Sequence, residues 1–105
     1  MSVSLTAANT LRVKSISCVR VESQTVKTFT FKDSLCTKAM PGQFIMLWIP
    51  GVDEIPLSIM NVEEGNVSVA VKAVGEATCA LHGMNVGDKV GVRGPFGKFF
   101  TESAG

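Results

Sequence analysis

Between Val26 and Lys32 apolar and polar residues alternate, so an extended segment puts Phe29 and Phe31 on one face and Thr28 and Thr30 on the other. The same period returns at Val67 to Val71, with Val67, Val69 and Val71 facing in and Ser68, Ala70 and Lys72 facing out. Leu11 to Val21 is also extended, but its phase slips: Leu11 and Val13, then Ile16, then Val19 and Val21. That slip predicts a bulge or bend near Ile16. Lys89 to Arg93 forms the last strand. Turns are expected at Glu22 to Gln24 and Glu63 to Asn66, with a loop from Asp33 to Met40.

The stretch Pro41 to Met60 organises the rest. A Pro41-Gly42 turn leads into Gln43 to Pro50, which carries no charge, and an acidic loop follows at Gly51 to Glu54. So short an apolar run, bounded by turn signals, predicts a strand buried on both faces, with Phe44 in the core. A second strand then begins at Pro56. Proline donates no backbone hydrogen bond, so within a strand it belongs at an edge, a bulge, or where a ligand replaces the neighbouring strand. Pro56 to Ser58 is therefore expected to rim a ligand site. One helix is predicted, Glu76 to Met84, because Ala77, Ala80, Leu81 and Met84 share a helical face. Six strands and one short helix predict an all-β fold, a six-stranded antiparallel Greek-key barrel. Residues 1–105 read as one domain, with 1–9 as an N-terminal tail.

Composition narrows the function. Hydrophobic residues make up 46% of the chain, a share that suits a buried ligand or a partner surface. No segment approaches the roughly 18 apolar residues of a membrane helix. The N-terminus lacks the basic and apolar regions of a secretion signal. A formal charge of +1 argues against nucleic acid or an anionic membrane as partner, and one Trp without any Tyr argues against a base-stacking surface. Cys18, Cys36 and Cys79 form no CxxC pair, and His82 is the sole histidine. They read as free thiols in a reducing, cytoplasmic setting rather than as a zinc site.

No catalytic constellation emerges. Asp53 and Glu54 are adjacent, so in a strand they would point to opposite faces. Gly94-Pro95-Phe96-Gly97 lacks the trailing Lys-Ser/Thr of a phosphate loop, and there is no nucleophile elbow. An anion site is expected instead where Gly75-Glu76-Ala77-Thr78 opens the helix, since first-turn amides and the helix dipole favour a phosphate. Lys72 stands just before it.

In this order, Pro41-Gly42-Gln43-Phe44, Ile55-Pro56-Leu57-Ser58, Val71-Lys72, Gly75-Glu76-Ala77-Thr78, Gly87-Asp88 and Gly94-Pro95-Phe96-Gly97-Lys98-Phe99 resemble the flavin-binding domain of the ferredoxin reductase family. Within it, the Trp48 to Pro56 loop is similar to the archaeal-type electron-transfer subunits of dihydroorotate dehydrogenase. The resemblance implies FAD held in a greasy slot. Pro56, Leu57 and Ser58 would lie along the isoalloxazine, and Val71, Lys72 and Ala73 would border the ribityl and ribose part. Gly75, Ala77 and Thr78 would hold the pyrophosphate, and Gly94, Pro95 and Phe96 would close the barrel beside the cofactor. Ile55 stands where the family has an arginine. The resemblance also implies a catalytic dihydroorotate dehydrogenase subunit as partner, together with a nicotinamide-binding domain or a second copy of the chain. Neither the Gly-rich nicotinamide segment nor the iron–sulfur cysteines occur in these residues, so the chain is not expected to act on a nicotinamide nucleotide alone. Two other readings are a barrel without cofactor serving as an interaction module, and a riboflavin-synthase-type barrel. The latter would show two similar halves, which the sequence lacks.

Overall fold

The computed structural model describes residues 9–40 and 43–97. The Pro41-Gly42 turn, residues 1–8 of the tail, and the residues from Lys98 through Phe99 and Phe100 to the end lie outside the described residues. Seven strands form one antiparallel sheet that curls into a half-barrel: β1 (Arg12–Ser15), β2 (Cys18–Val21), β3 (Val26–Lys32), β4 (Phe44–Ile49), β5 (Asp53–Glu63), β6 (Asn66–Lys72) and β7 (Lys89–Phe96). Their order is β1-β7-β4-β5-β6-β3-β2. A 3-10 turn spans Cys36–Lys38, and a helix, α1, spans Glu76–His82.

The all-β expectation holds, and the phase slip at Ile16 explains why seven strands stand where six are expected. The Ile16 N–H donates to the Asp88 carbonyl (2.9 Å), on the β7 side, while the Ser17 N–H donates to the Thr30 carbonyl (2.8 Å) on β3. The chain thus leaves one edge of the sheet and joins the other within two residues. The predicted single strand is two strands, and their junction closes the curl. Ile16 itself is buried at that corner.

The interior is occupied by the inward side chains of the alternating strands: Phe29 and Phe31 from β3, Ile45, Leu47 and Ile49 from β4, Val67, Val69 and Val71 from β6, Val90 and Val92 from β7. Leu81 joins them from α1, which packs against β4, β5 and β6 and brings Ala77, Ala80 and Met84 with it. The helix stops at His82, two residues short of the expected Met84.

Two expectations fail here. β4 is buried on one face only, because Phe44, Met46 and Trp48 are half-buried on the outer face. Phe44 is therefore not a core residue. An uninterrupted apolar run signals two apolar faces, but here the outer one is only half-buried. The acidic loop also shrinks. Gly51 takes a positive φ of 80°, the Val52 N–H donates to the Ile49 carbonyl, and Asp53 and Glu54 already pair with Ile49 and Trp48 across the β4–β5 ladder. The expected turn before β6 is present as Glu64-Gly65, both at positive φ.

Candidate functional site

β5 is shared between two neighbours. From Asp53 to Ser58 it pairs with β4, and from Ile59 to Glu63 it pairs with β6, with a register shift between Ile59 and Asn61. Strand backbones alternate the side to which they point their polar groups. The Ile59 N–H donates to the Gln43 carbonyl, so Leu57 and Ile55 also point theirs towards β4. Pro56 and Ser58 point the other way, to the side where β6 has diverged. On β6 the Ala73 N–H donates to the Thr25 carbonyl, which directs the backbone of Lys72 back towards β5. Ser58 adjoins the Ile59–Val69 pair, whereas Pro56, with no N–H to waste, faces Lys72 across an open fork in the sheet. The sequence signal at Pro56 is thereby explained: it stands on a strand segment paired on one side among the described residues.

The outer face beside this fork carries the half-buried apolar side chains of Phe44, Met46 and Trp48. Cross-strand partners share a face, so the ladders define rows: Phe96–Phe44–Ser58, then Arg93–Met46–Pro56, then Gly91–Trp48–Glu54. The Phe44 and Phe96 rings lie 5.8 Å apart, tilted by 48°. Ser58 is exposed, and its hydroxyl has no hydrogen-bond partner among the described residues. Leu57 is on the opposite side, half-buried against the core. Of the three expected ring contacts, Pro56 and Ser58 present side chains to this face and Leu57 supports it from beneath. Ile55 points inward as well and packs against the core.

At the other end of the fork stand Val71 to Thr78. Val71 is buried and its carbonyl accepts from His82 Nε2 (2.7 Å), while Lys72 is exposed with neither ion pair nor hydrogen bond among the described residues. The Thr78 hydroxyl is committed locally, accepting the N–H groups of Val74 (2.9 Å) and Gly75 (3.0 Å). The first intrahelical bond runs from the Cys79 N–H to the Gly75 carbonyl. The amides of Glu76, Ala77 and Thr78 therefore remain as outward-pointing donors of the first turn. Gly94 and Pro95 are buried where β7 bulges past β4: between the pairs Phe44–Phe96 and Met46–Arg93, the single residue Ile45 opposes the two residues Gly94 and Pro95.

Two charged pairs near this face are not evident in the sequence, because only the strand register brings their members together. Arg93 donates to both oxygens of Glu54, Nε to Oε2 at 2.7 Å and Nη2 to Oε1 at 2.8 Å, and its guanidinium lies 5.8 Å from the Phe96 ring centroid. The hydrogen bond from Arg93 holds the Glu54 carboxyl below the usual carboxylate range, against the opposing effect of burial and with a lesser contribution from the Arg93 charge. Arg12 and the buried Asp33 form the second pair, through Nε–Oδ1 (3.1 Å) and Nη2–Oδ2 (2.7 Å). Burial pushes the Asp33 carboxyl up, but hydrogen bonds from Arg12 and the Cys36 thiol, the Arg12 charge and the Leu35 N–H outweigh it and leave the pKa lowered. Among the described residues no group of three or more His, Cys, Asp or Glu side chains is placed to hold a metal ion, and no helix is long and apolar enough to cross a membrane.

Residues 13–101 match the family described as the oxidoreductase FAD-binding domain. The chain belongs to that family. This FAD-binding domain is 44% identical over 84 residues to the probable dihydroorotate dehydrogenase B (NAD(+)), electron transfer subunit, of Archaeoglobus fulgidus, covering 80% of this chain and 34% of the relative. It is 47% identical over 79 residues to the protein of the same name from Methanocaldococcus jannaschii, covering 75% of this chain and 28% of the relative. The domain thus spans about a third of the length of the curated relatives it matches. Among solved structures it resembles an NADH-dependent reduced ferredoxin-NADP oxidoreductase, with a TM-score of 0.76 and 28% identity, covering 84% of this chain and 34% of that one. The ferredoxin reductase of carbazole 1,9a-dioxygenase has the same fold, with a TM-score of 0.77 and 22% identity, covering 90% of this chain and 31% of that one.

Proposed function

We propose that this domain binds FAD along the β5–β6 fork and forms the flavin-binding part of an electron-transfer subunit. In that role it relays electrons between NAD(H) and a catalytic dihydroorotate dehydrogenase subunit in pyrimidine synthesis. The observation that carries the reading is the fork itself: an unpaired strand edge, lined at one end by an apolar row and at the other by free helix amides. Such a site suits a molecule with a planar, largely apolar ring and an anionic tail. The ring is assigned to the face of Phe44, Phe96, Pro56 and Ser58, with Leu57 beneath it. The Ser58 hydroxyl, without another partner among the described residues, is the donor it offers to polar atoms on the ring. Lys72, between Val71 and Ala73, lies along the path of the chain joining ring and phosphates. The diphosphate is assigned to the first-turn amides of Ala77 and Thr78, with Gly75 allowing close approach and the Thr78 hydroxyl bracing the loop rather than touching the phosphate. Gly94 and Pro95 set the position of Phe96.

FAD, when bound, would supply the redox chemistry, while the chain would bind, orient and shield it. A separate nicotinamide-binding domain or a further subunit is assigned the delivery of hydride, since these residues hold no Gly-rich dinucleotide segment. The domain is not competent alone. Three thiols without a disulfide suit a cytoplasmic protein.

One observation favours a second reading, an interaction module without cofactor: Ile55, in the family's arginine position, packs inward and offers no charge to a phosphate. On the first reading Lys72 supplies that charge. Titrating the purified domain with FAD, FMN and riboflavin separates the two, followed by flavin absorbance and fluorescence. Saturable binding with FAD tightest supports the flavin site. No binding to any of the three leaves the interaction module.

A further inference from the structure

We propose that Arg12 is a positioning residue for the aromatic pair of the site: anchored on Asp33, it holds the carbonyl of Gly94 and thereby sets where Phe96 lies against Phe44. Gly94 is buried and sits in the β7 bulge, with φ at +122°. In a bulge one residue lacks a ladder partner, yet a buried carbonyl needs a donor. Arg12 Nη2 supplies it at 2.7 Å. A glycine in that conformation is soft, so its orientation depends on an outside tether. It is also in close contact with what it positions: a Cβ built on Gly94 would lie 3.2 Å from the Phe44 carbonyl oxygen and 3.3 Å from the Phe96 ring. A small rotation at Gly94 therefore moves Phe96 relative to Phe44.

The tether is itself rigid. The guanidinium spends Nε and Nη2 on the two Asp33 oxygens and Nη1 on the Thr10 carbonyl (2.9 Å), while Nη2 also reaches Gly94. The Arg12 side chain is 15% exposed and that of Asp33 1%, so water competes little for these bonds. A lysine carries the same charge but not the planar fork that serves both acceptors in fixed geometry. Arg12 thus joins three separate pieces, β1, the turn after β3 and the β7 bulge, and the third borders the proposed flavin face.

The functional consequence rests on the flavin reading, whereas the geometric claim does not. The test compares wild type with Arg12→Lys by three measurements: ring-to-ring NOEs between Phe44 and Phe96 in flavin-free protein, affinities for FAD and riboflavin at low temperature, and the melting midpoint. Weakened NOEs are expected, with affinity for both ligands falling by about fivefold, the scale of one lost aromatic contact. Equal loss for both ligands marks the ring end of the site rather than the phosphate end. Intact NOEs overturn the proposal, whatever the melting midpoint does, and reduce Arg12 to a pin for the sheet. Weakened NOEs with unchanged affinities overturn its functional half. If Arg12→Lys does not fold, Asp33→Asn keeps the side-chain shape and is read by the same measurements. If wild type binds neither ligand, the flavin reading fails separately and the NOEs alone decide whether Arg12 positions Phe96.

Discussion

Replacing Thr78 with glutamate sets two effects of one charge against each other. In the free domain the substitution removes a hydroxyl that accepts the Val74 and Gly75 amides. Glutamate at the third helical position reaches back to the same N-cap amide, and a negative charge in the first turn is worth about 0.3–1 kcal/mol. Loss and gain nearly cancel, so the melting midpoint is expected to move by no more than about 4–8 °C, the equivalent of 1 kcal/mol in a domain of this size. Against a bound diphosphate the same charge is purely repulsive. Near-contact charges interact with about 1 kcal/mol in water and about 4 kcal/mol at the effective dielectric of a protein surface. FAD affinity is then expected to fall by at least about fivefold, and by up to several hundredfold. Riboflavin, which carries no phosphate, should bind unchanged. The FAD penalty should also shrink as salt is raised, because screening acts over about 10 Å at 0.1 M. Fluorescence titrations with both ligands at two salt concentrations read all of this. Equal losses for FAD and riboflavin, or a loss indifferent to salt, would show that no phosphate sits at the start of α1.

Phe29→Ala should destabilise the domain by about 3–5 kcal/mol as a fully buried ring, whereas Phe44→Ala, on the half-buried outer face, should cost about 1–2 kcal/mol; equal midpoint shifts in urea would refute the assignment of faces. Cys18 and Cys79 are exposed and should react promptly with a thiol reagent. Cys36 is buried, its thiol pushed up by burial and by the hydrogen bond to and charge of Asp33, so it should react only on unfolding; three fast thiols in the native domain would contradict the packing. The lowered pKa of Asp33 means that between its folded value and about 3.9 the unfolded chain binds more protons. Its contribution is complete above that range and is lost as the pH falls through it. Asp33→Asn should therefore lower stability at neutral pH, and its deficit against wild type should narrow in acid; a deficit constant from pH 7 to 2 would show that the carboxylate charge is irrelevant.

The sequence by itself determined the parts of this domain that depend on local periodicity. The alternation at Val26 to Lys32 and Val67 to Val71, the turn within Glu63 to Asn66 and the apolar face of α1 all survive, because a strand's two faces and a helix's stripe are properties of neighbouring residues. The unusual proline at Pro56 was legible too, since a missing N–H restricts a strand wherever it lies. What only the tertiary structure decided is what faces each surface. Whether Phe44 looks inward or outward, that Glu54 meets Arg93 and that Arg12 reaches both Asp33 and Gly94 depend on register across residues far apart in the chain. The fork between Pro56 and Lys72 arises because β5 changes partner at Ile59, and such a change leaves no periodic trace. Hydrophobic pattern sets which residues prefer burial; the curl of the sheet sets which of them obtain it.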